Sequence, residues 1–194
     1  VDIHIERISK SASELKIEFD SDRARSLIQV ACSQLDAKLI YRLRLDLSAE
    51  GLLSIKTALI QDLQPGPILW ASDLLLTDVT MSSTDQLLGH KVTRRKLYDQ
   101  AWLAAEKLGA FDALFINEQG FVTEGGRSNV FIKKDGRWLT PPLASGCLPG
   151  VMRSIILKDS KYQAIEQNIT RADVLSAEEV IFTNALRGVV KTTN

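Results

Sequence analysis

Three short stretches carry side chains that could do chemistry together. His90-Lys91-Val92-Thr93-Arg94-Arg95 presents a primary amine just past Gly89, at the entrance of an amphipathic segment. Such an amine attacks only when neutral, and burial or a cationic neighbour is what makes it so. Thr123-Glu124-Gly125-Gly126 sets a carboxylate beside two glycines. An anion there can keep a nearby nitrogen protonated. Leu148-Pro149-Gly150-Val151-Met152-Arg153 starts a helix after a glycine, and the free N–H groups of such a start bind phosphate without side chains. Each stretch also has a plainer reading. A lysine before a helix is most often a solvated charge, a glutamate beside glycines a turn residue, and a helix start nothing more.

The elements that must position these groups follow from periodicity. Ile5, Ile8, Ala12 and Leu15 share one face of a helix from Ile3 to Leu15. Asp20-Ser21-Asp22 caps a second helix whose apolar face is Leu27, Ile28, Ala31, Cys32 and Leu35. Lys38 to Leu47 alternates as a half-buried strand, and Ala49-Glu50-Gly51 turns it into a partner over Leu52–Ile60. A small α+β domain over residues 1–62 is expected. Gln61 to Pro67, with two prolines and a glycine, marks the interdomain break, and 63–73 reads as the linker.

A larger α/β domain over 74–194 follows. Its surest helix is Arg95–Leu108, with Leu97, Ala101, Ala104, Ala105 and Leu108 inward and Gly109 closing it. Ala113–Asn117, Ser128–Lys133, Arg137–Thr140, Val180–Thr183 and Val189–Lys191 read as strands, and Asp135-Gly136 as a hairpin turn. Pro149 opens a helix to Leu157. Trp102 and Trp138 read as packing residues.

Composition removes several function classes. Lys plus Arg equals Asp plus Glu at 24 each, so no global field draws nucleic acid or an acidic membrane. Cys32 and Cys147 form no metal or redox spacing and are expected reduced and packed, as in a cytoplasmic protein; no metal is expected. No apolar run is long enough to span a bilayer.

The three stretches, in that order, resemble the class IV, fold-type IV enzymes that use pyridoxal 5'-phosphate (PLP). These are branched-chain and D-amino acid aminotransferases and aminodeoxychorismate lyase. Lys91 with its Val-Thr-Arg-Arg sequel is similar to that family's lysine motif, and Thr123 to Phe131 closely matches its Thr-Glu-Gly-x-x-x-Asn-x-Phe. Leu148 to Arg153 fits its phosphate loop, and His4-Ile5-Glu6-Arg7 its first helix, where His4 reads as structural. The resemblance implies that Lys91 holds PLP as a Schiff base and then acts as proton-transfer base. It implies that Glu124 faces the pyridine nitrogen, with Asn129 in the same motif. Arg7 and the N–H groups from Gly150, Val151 and Met152 would hold the phosphate. Asn184-Ala185-Leu186-Arg187-Gly188 is similar to a segment of the lyase branch. Ala185 and Leu186 then flank the cofactor, and Arg187 becomes a candidate for a substrate carboxylate. Arg42, on one strand face with Arg44, is a second candidate, although such pairs are more often a sheet's wet face.

The expected fold is α/β: a small α+β domain plus a pseudo-barrel domain, in a homodimer acting on a carboxylate-bearing small molecule. The wording is most similar to the lyase half fused to aminodeoxychorismate synthase component I. Family members carry strands before the His-x-x-Arg helix, so an N-terminally truncated fragment is expected. The implied activity is release of pyruvate from 4-amino-4-deoxychorismate to give 4-aminobenzoate. The alternatives are an aminotransferase with the same residues, and a non-catalytic domain of a fused synthase.

Overall fold

The computed structural model describes residues 1–60, 65–76 and 79–193. Its backbone contacts divide into two compact units, Val1–Asp62 and Leu63–Asn194.

The first unit contains α1 (Asp2–Glu14), α2 (Ser21–Ser33), β1 (Tyr41–Leu47) and β2 (Leu53–Leu59). The Asp20 carboxylate caps α2, accepting from the N–H groups of Asp22 and Arg23 at 3.0 and 2.9 Å. Ile5, Ala12 and Ala24 are buried. β1 and β2 form an antiparallel hairpin, with Tyr41 opposite Leu59 and Leu47 opposite Leu53. The first strand begins at Tyr41 rather than Lys38, and Leu39 is exposed. Cys32 is exposed, contrary to the packed thiol expected. It lies eight residues past buried Ala24, about 80° round the helix and so off the inward stripe.

The second unit is mixed α/β. Its strands are β3 (Gly66–Pro67), β4 (Leu69–Trp70), β5 (Thr80–Met81), β6 (Ala113–Asn117), β7 (Val122–Gly125), β8 (Asn129–Lys134), β9 (Arg137–Thr140), β10 (Ile165–Glu166), β11 (Glu179–Asn184) and β12 (Gly188–Thr193). Its helices are α3 (Ala71–Leu75), α4 (Lys96–Lys107), α5 (Val151–Lys158) and α6 (Arg171–Leu175), with a 3-10 turn at Leu143–Ser145. Six strands run in the order β10-β9-β8-β11-β12-β3, and a second sheet runs β4-β6-β5 with β7 also paired to β6. Leu114, Val122, Val130, Ile132 and Phe182 fill the main core between them.

The expected linker is corrected in its described part. Residues 65–73 contribute β3, β4 and the start of α3 to the second unit, while Leu63 and Gln64 lie outside the described residues. Pro67 does not prevent this, because β3 sits at the end of its sheet, where a missing N–H costs no ladder bond. The inward face of α4 is also corrected. Tyr98, Ala101 and Ala105 are buried, whereas Leu97 and Leu108 are exposed. Spacings of three and seven put Tyr98, Ala101 and Ala105 on one line, and Leu97 falls a step of 100° away. The helix ends as expected at Gly109. The Gly109 N–H donates to Glu106 C=O and the Ala110 N–H to Ala105 C=O, both at 3.0 Å. α5 starts at Val151, two residues later than expected, with Gly150 as its cap. No described helix is long and apolar enough to cross a membrane.

Candidate active site

Glu124 is the centre of the site. It lies on β7, 8% exposed. The β6–β7 pairing, with Leu114 opposite Gly125, carries it inward. Three donors converge on its carboxylate. The Tyr98 hydroxyl, from the buried face of α4, donates to Oε1 at 3.1 Å. The Leu148 N–H donates to Oε2 at 3.0 Å, and the Asn129 amide donates to the same oxygen at 3.4 Å. Burial nevertheless pushes the pKa up to about 7, past what these hydrogen bonds and the charges of Lys91 and Arg95 pull back. Tyr98 responds in kind: burial and the Glu124 charge push its phenol up.

Lys91 lies on the loop between β5 and α4. It is exposed, so the partial burial expected of it is not present within this chain. Its charge acts on Glu124. Glu118 tethers the loop further back, accepting from the Ser83 N–H at 2.8 Å and from the Ser83 hydroxyl. The Arg95 guanidinium donates to Gly126 C=O and lies 5.2 Å from the Tyr98 ring centre, so this side of the site is cationic.

Asn129 joins Glu124 to the helix start. Its amide also donates to Leu148 C=O at 2.9 Å. A Cβ added at Gly150 would lie 2.0 Å from Asn129 Oδ1, so no larger residue fits without displacing that amide. α5 therefore begins against Asn129, and the N–H groups of its first turn, Val151 and Met152 among them, have no acceptor within the helix. Arg153 locks the helix in place. It is 4% exposed, and its guanidinium donates to Pro141 C=O at 2.7 Å and pairs with Glu166. Its buried Nε has no partner among the described residues. Cys147, beside this pair, is a buried thiol pushed up to about 12, by burial first and the Glu124 charge second, and so is not a nucleophile at neutral pH.

Asn184 organises the turn after β11. Its Oδ1 accepts from the N–H groups of Leu186 and Arg187 at 3.0 and 2.8 Å. Its amide donates to Arg127 C=O at 3.2 Å, which ties Ala185, Leu186 and Arg187 to the strand connection that follows Glu124. Ala185 and Leu186 are exposed and Arg187 is half-buried.

The second unit thus links Glu124, Asn129, Gly150 and the first turn of α5, with Lys91 in electrostatic reach and the 184–187 turn one connection away. Arg7, half-buried on α1, and Arg42, exposed on β1, belong to the first unit. Arg44, on the same face, pairs with Asp46 at 2.6 Å. Trp138 packs edge-on against Tyr162 as a core residue would, whereas Trp102 lies under the Arg127 guanidinium, 3.2 Å from its ring centre. Sequence reasoning missed the roles of Tyr98, Leu148 and Arg95. Their partners are 24 to 31 residues away in sequence. A buried carboxylate with three donors and a nearby ammonium, next to a helix start whose glycine packs against Asn129, suits a cofactor with a basic ring nitrogen and an anionic group.

Comparison with known proteins agrees with this chemistry. The family model for amino-transferase class IV matches residues 1–194. A Schizosaccharomyces pombe protein named "Putative aminodeoxychorismate lyase" is 30% identical over 97% of this chain and 80% of its own length. The branched-chain-amino-acid aminotransferase of Pseudomonas aeruginosa is 34% identical over 54% of this chain, which is 36% of that protein. The crystal structure of a "Putative amino-acid aminotransferase" from Mesorhizobium loti superposes with a TM-score of 0.83 at 30% identity, covering 99% of this chain and 90% of that one.

Proposed function

The chain belongs to the class IV aminotransferase family of PLP-dependent enzymes, and we propose that within it this protein is a 4-amino-4-deoxychorismate lyase. The observation that supports a PLP reading most directly is the buried Glu124 carboxylate, held by Tyr98, Leu148 and Asn129 and facing the charge of Lys91. The lyase reading draws on the relative matched over almost the whole chain.

When bound, PLP supplies an electron-withdrawing ring that stabilises negative charge on a substrate carbon. Lys91 would supply the amine that holds the cofactor, and its Nζ would carry the proton in transfer. Glu124, as an anion, would hold a proton on the ring nitrogen. Tyr98 and Leu148 hold the carboxylate in that direction. Gly150, Val151 and Met152 offer the phosphate their N–H groups, and Arg7 offers a guanidinium. Ala185 and Leu186 would flank the cofactor, and Arg187 and Arg42 are the candidates for substrate carboxylates. Departure of pyruvate leaves an aromatic ring, which drives the reaction forward. The protein acts as a homodimer in the cytoplasm on this reading, alone or as the lyase half of a synthase component I fusion.

Titration of the purified protein with PLP tests the reading. A visible absorbance band is expected, and Lys91→Ala is expected to abolish it. No band in the wild type favours a non-catalytic domain. Aminodeoxychorismate then separates the activities: pyruvate released with no amino acceptor supports the lyase. Amino transfer to a keto acid without pyruvate release supports the aminotransferase reading, which the Pseudomonas aeruginosa relative favours.

A further inference from the structure

Asp112 immediately precedes β6 and is completely buried. Its partners all donate. The Ala113 N–H reaches Oδ1 at 2.9 Å, and the Arg127 N–H and the Ser128 hydroxyl each reach Oδ2 at 2.7 Å. The Gly126 backbone also hydrogen-bonds to it. Burial pushes this carboxyl's pKa up and the four hydrogen bonds pull it back. The partner set matches the ionised form, which only accepts, whereas a protonated carboxyl must also donate. A buried carboxylate with so many neutral donors is costly unless it organises something.

What it organises is the connection between β7 and β8. A Cβ at Gly125 would lie 2.5 Å from Asp112 Oδ2, and one at Gly126 would lie 2.9 Å from Oδ1, so the carboxylate fills the inside of that turn. Three parts of the site hang from it. Glu124 is the last residue but one of one strand and Asn129 begins the next. Gly126 C=O accepts from Arg95, and Arg127 C=O accepts from Asn184, whose Oδ1 holds Leu186 and Arg187.

We propose that Asp112 is a positioning residue for the cofactor site: its buried carboxylate shapes the 125–128 turn, and so fixes Glu124 and Asn129 against each other and against the 184–187 turn. This rests on the reading of Glu124 as the cofactor's carboxylate. Asp112→Asn tests it, because the amide keeps the volume but turns its NH2 either toward both the Arg127 N–H and the Ser128 hydroxyl or toward the Ala113 N–H. Val174→Ala is the control, a cavity variant in the core with no bond to the turn.

In the cofactor-free protein, the Glu124 carboxyl titration is followed by carbon NMR, with the amide resonances of Leu186 and Arg187. Asp112→Asn is expected to move the Glu124 midpoint by half a pH unit or more, to shift both amides, and to weaken PLP binding about tenfold. Val174→Ala, at an equal or larger loss of Tm, is expected to leave all three in place. A folded Asp112→Asn protein with an unchanged midpoint and a PLP Kd within twofold overturns the proposal, as does an equal response from Val174→Ala. If Asp112→Asn does not fold, Ser128→Ala decides the matter: it removes one donor and is expected to act in the same direction, about threefold on Kd, and no effect overturns the proposal. If the wild type binds no PLP, the functional reading fails, while the Glu124 and amide measurements still decide the role of Asp112.

Discussion

Replacing Tyr98 with Phe asks how Glu124 is kept ionisable inside the protein. The substitution keeps the ring, and with it the 4.7 Å contact between the Tyr98 and Phe115 ring centres, and deletes the hydroxyl 3.1 Å from Oε1. A hydrogen bond to a charged group is worth about 1.5–3 kcal/mol, and about 1.4 kcal/mol corresponds to one pH unit of pKa. The Glu124 midpoint should therefore climb from about 7 to between about 8 and 9, because burial continues to favour the neutral acid and one opposing donor is gone. At pH 7 the carboxyl changes from roughly half ionised to less than about a tenth ionised. The assay is the carbon NMR titration of Glu124 in cofactor-free protein, paired with PLP binding at pH 7 and pH 9. Weaker binding at pH 7 that recovers at pH 9 is expected. A midpoint that stays at about 7 or falls would refute the reasoning, since the hydroxyl would then not be a net stabiliser of the anion.

Three further outcomes follow from the same geometry. Glu124 titrates near 7 in the folded chain against an ordinary 4.5, so the folded state holds its proton more tightly. The cofactor-free protein should lose stability as pH rises from about 4.5 to about 7, by about 3 kcal/mol from this group, and Glu124→Gln should remove that slope in denaturant titrations. Gly150→Ala forces the Asn129 amide away from a contact of 2.0 Å, and should cost about 1–3 kcal/mol by thermal unfolding and weaken PLP binding more than stability alone explains. Arg153→Ala strands Glu166 and Pro141 C=O and opens a cavity behind α5. Because Glu166 is half exposed, the loss should sit near about 3 kcal/mol in chemical denaturation, the low end for breaking a buried ion pair.

Much of the chain's secondary structure is legible in its sequence, for a physical reason. Local patterns report local geometry. The alternation of Tyr41 to Leu47, the apolar Ala113 to Ile116 and the Gly109 stop each describe one element, and each element is there. The glycine at 150 is equally readable, because a motif of consecutive residues encodes a consecutive turn. The partners of Glu124 are not readable in this way. Tyr98 reaches it across α4 from 26 residues back, and Leu148 from 24 residues on. Periodicity also misjudged α4, where two alanines and a tyrosine outcompete two leucines for the interior. Small side chains let the helix lie close to β6, and Tyr98 is drawn in by a polar partner no hydropathy pattern records. Asp112 stands in no motif, and its burial depends on donors 14 to 16 residues away.

The parallel pairing of Gly66–Pro67 with Thr192–Thr193 joins the opening and closing strands of one unit. Such a seam has a kinetic consequence. A contact between opposite ends of a segment is among the slowest to form, because its loop entropy must be surrendered before anything is gained. During synthesis the rim of β11 stays bare until residues 188–193 leave the ribosome, a ready template for a strand from another chain. Yield in a heterologous host should therefore respond to temperature and chaperone supply more steeply than the stability of the finished protein suggests.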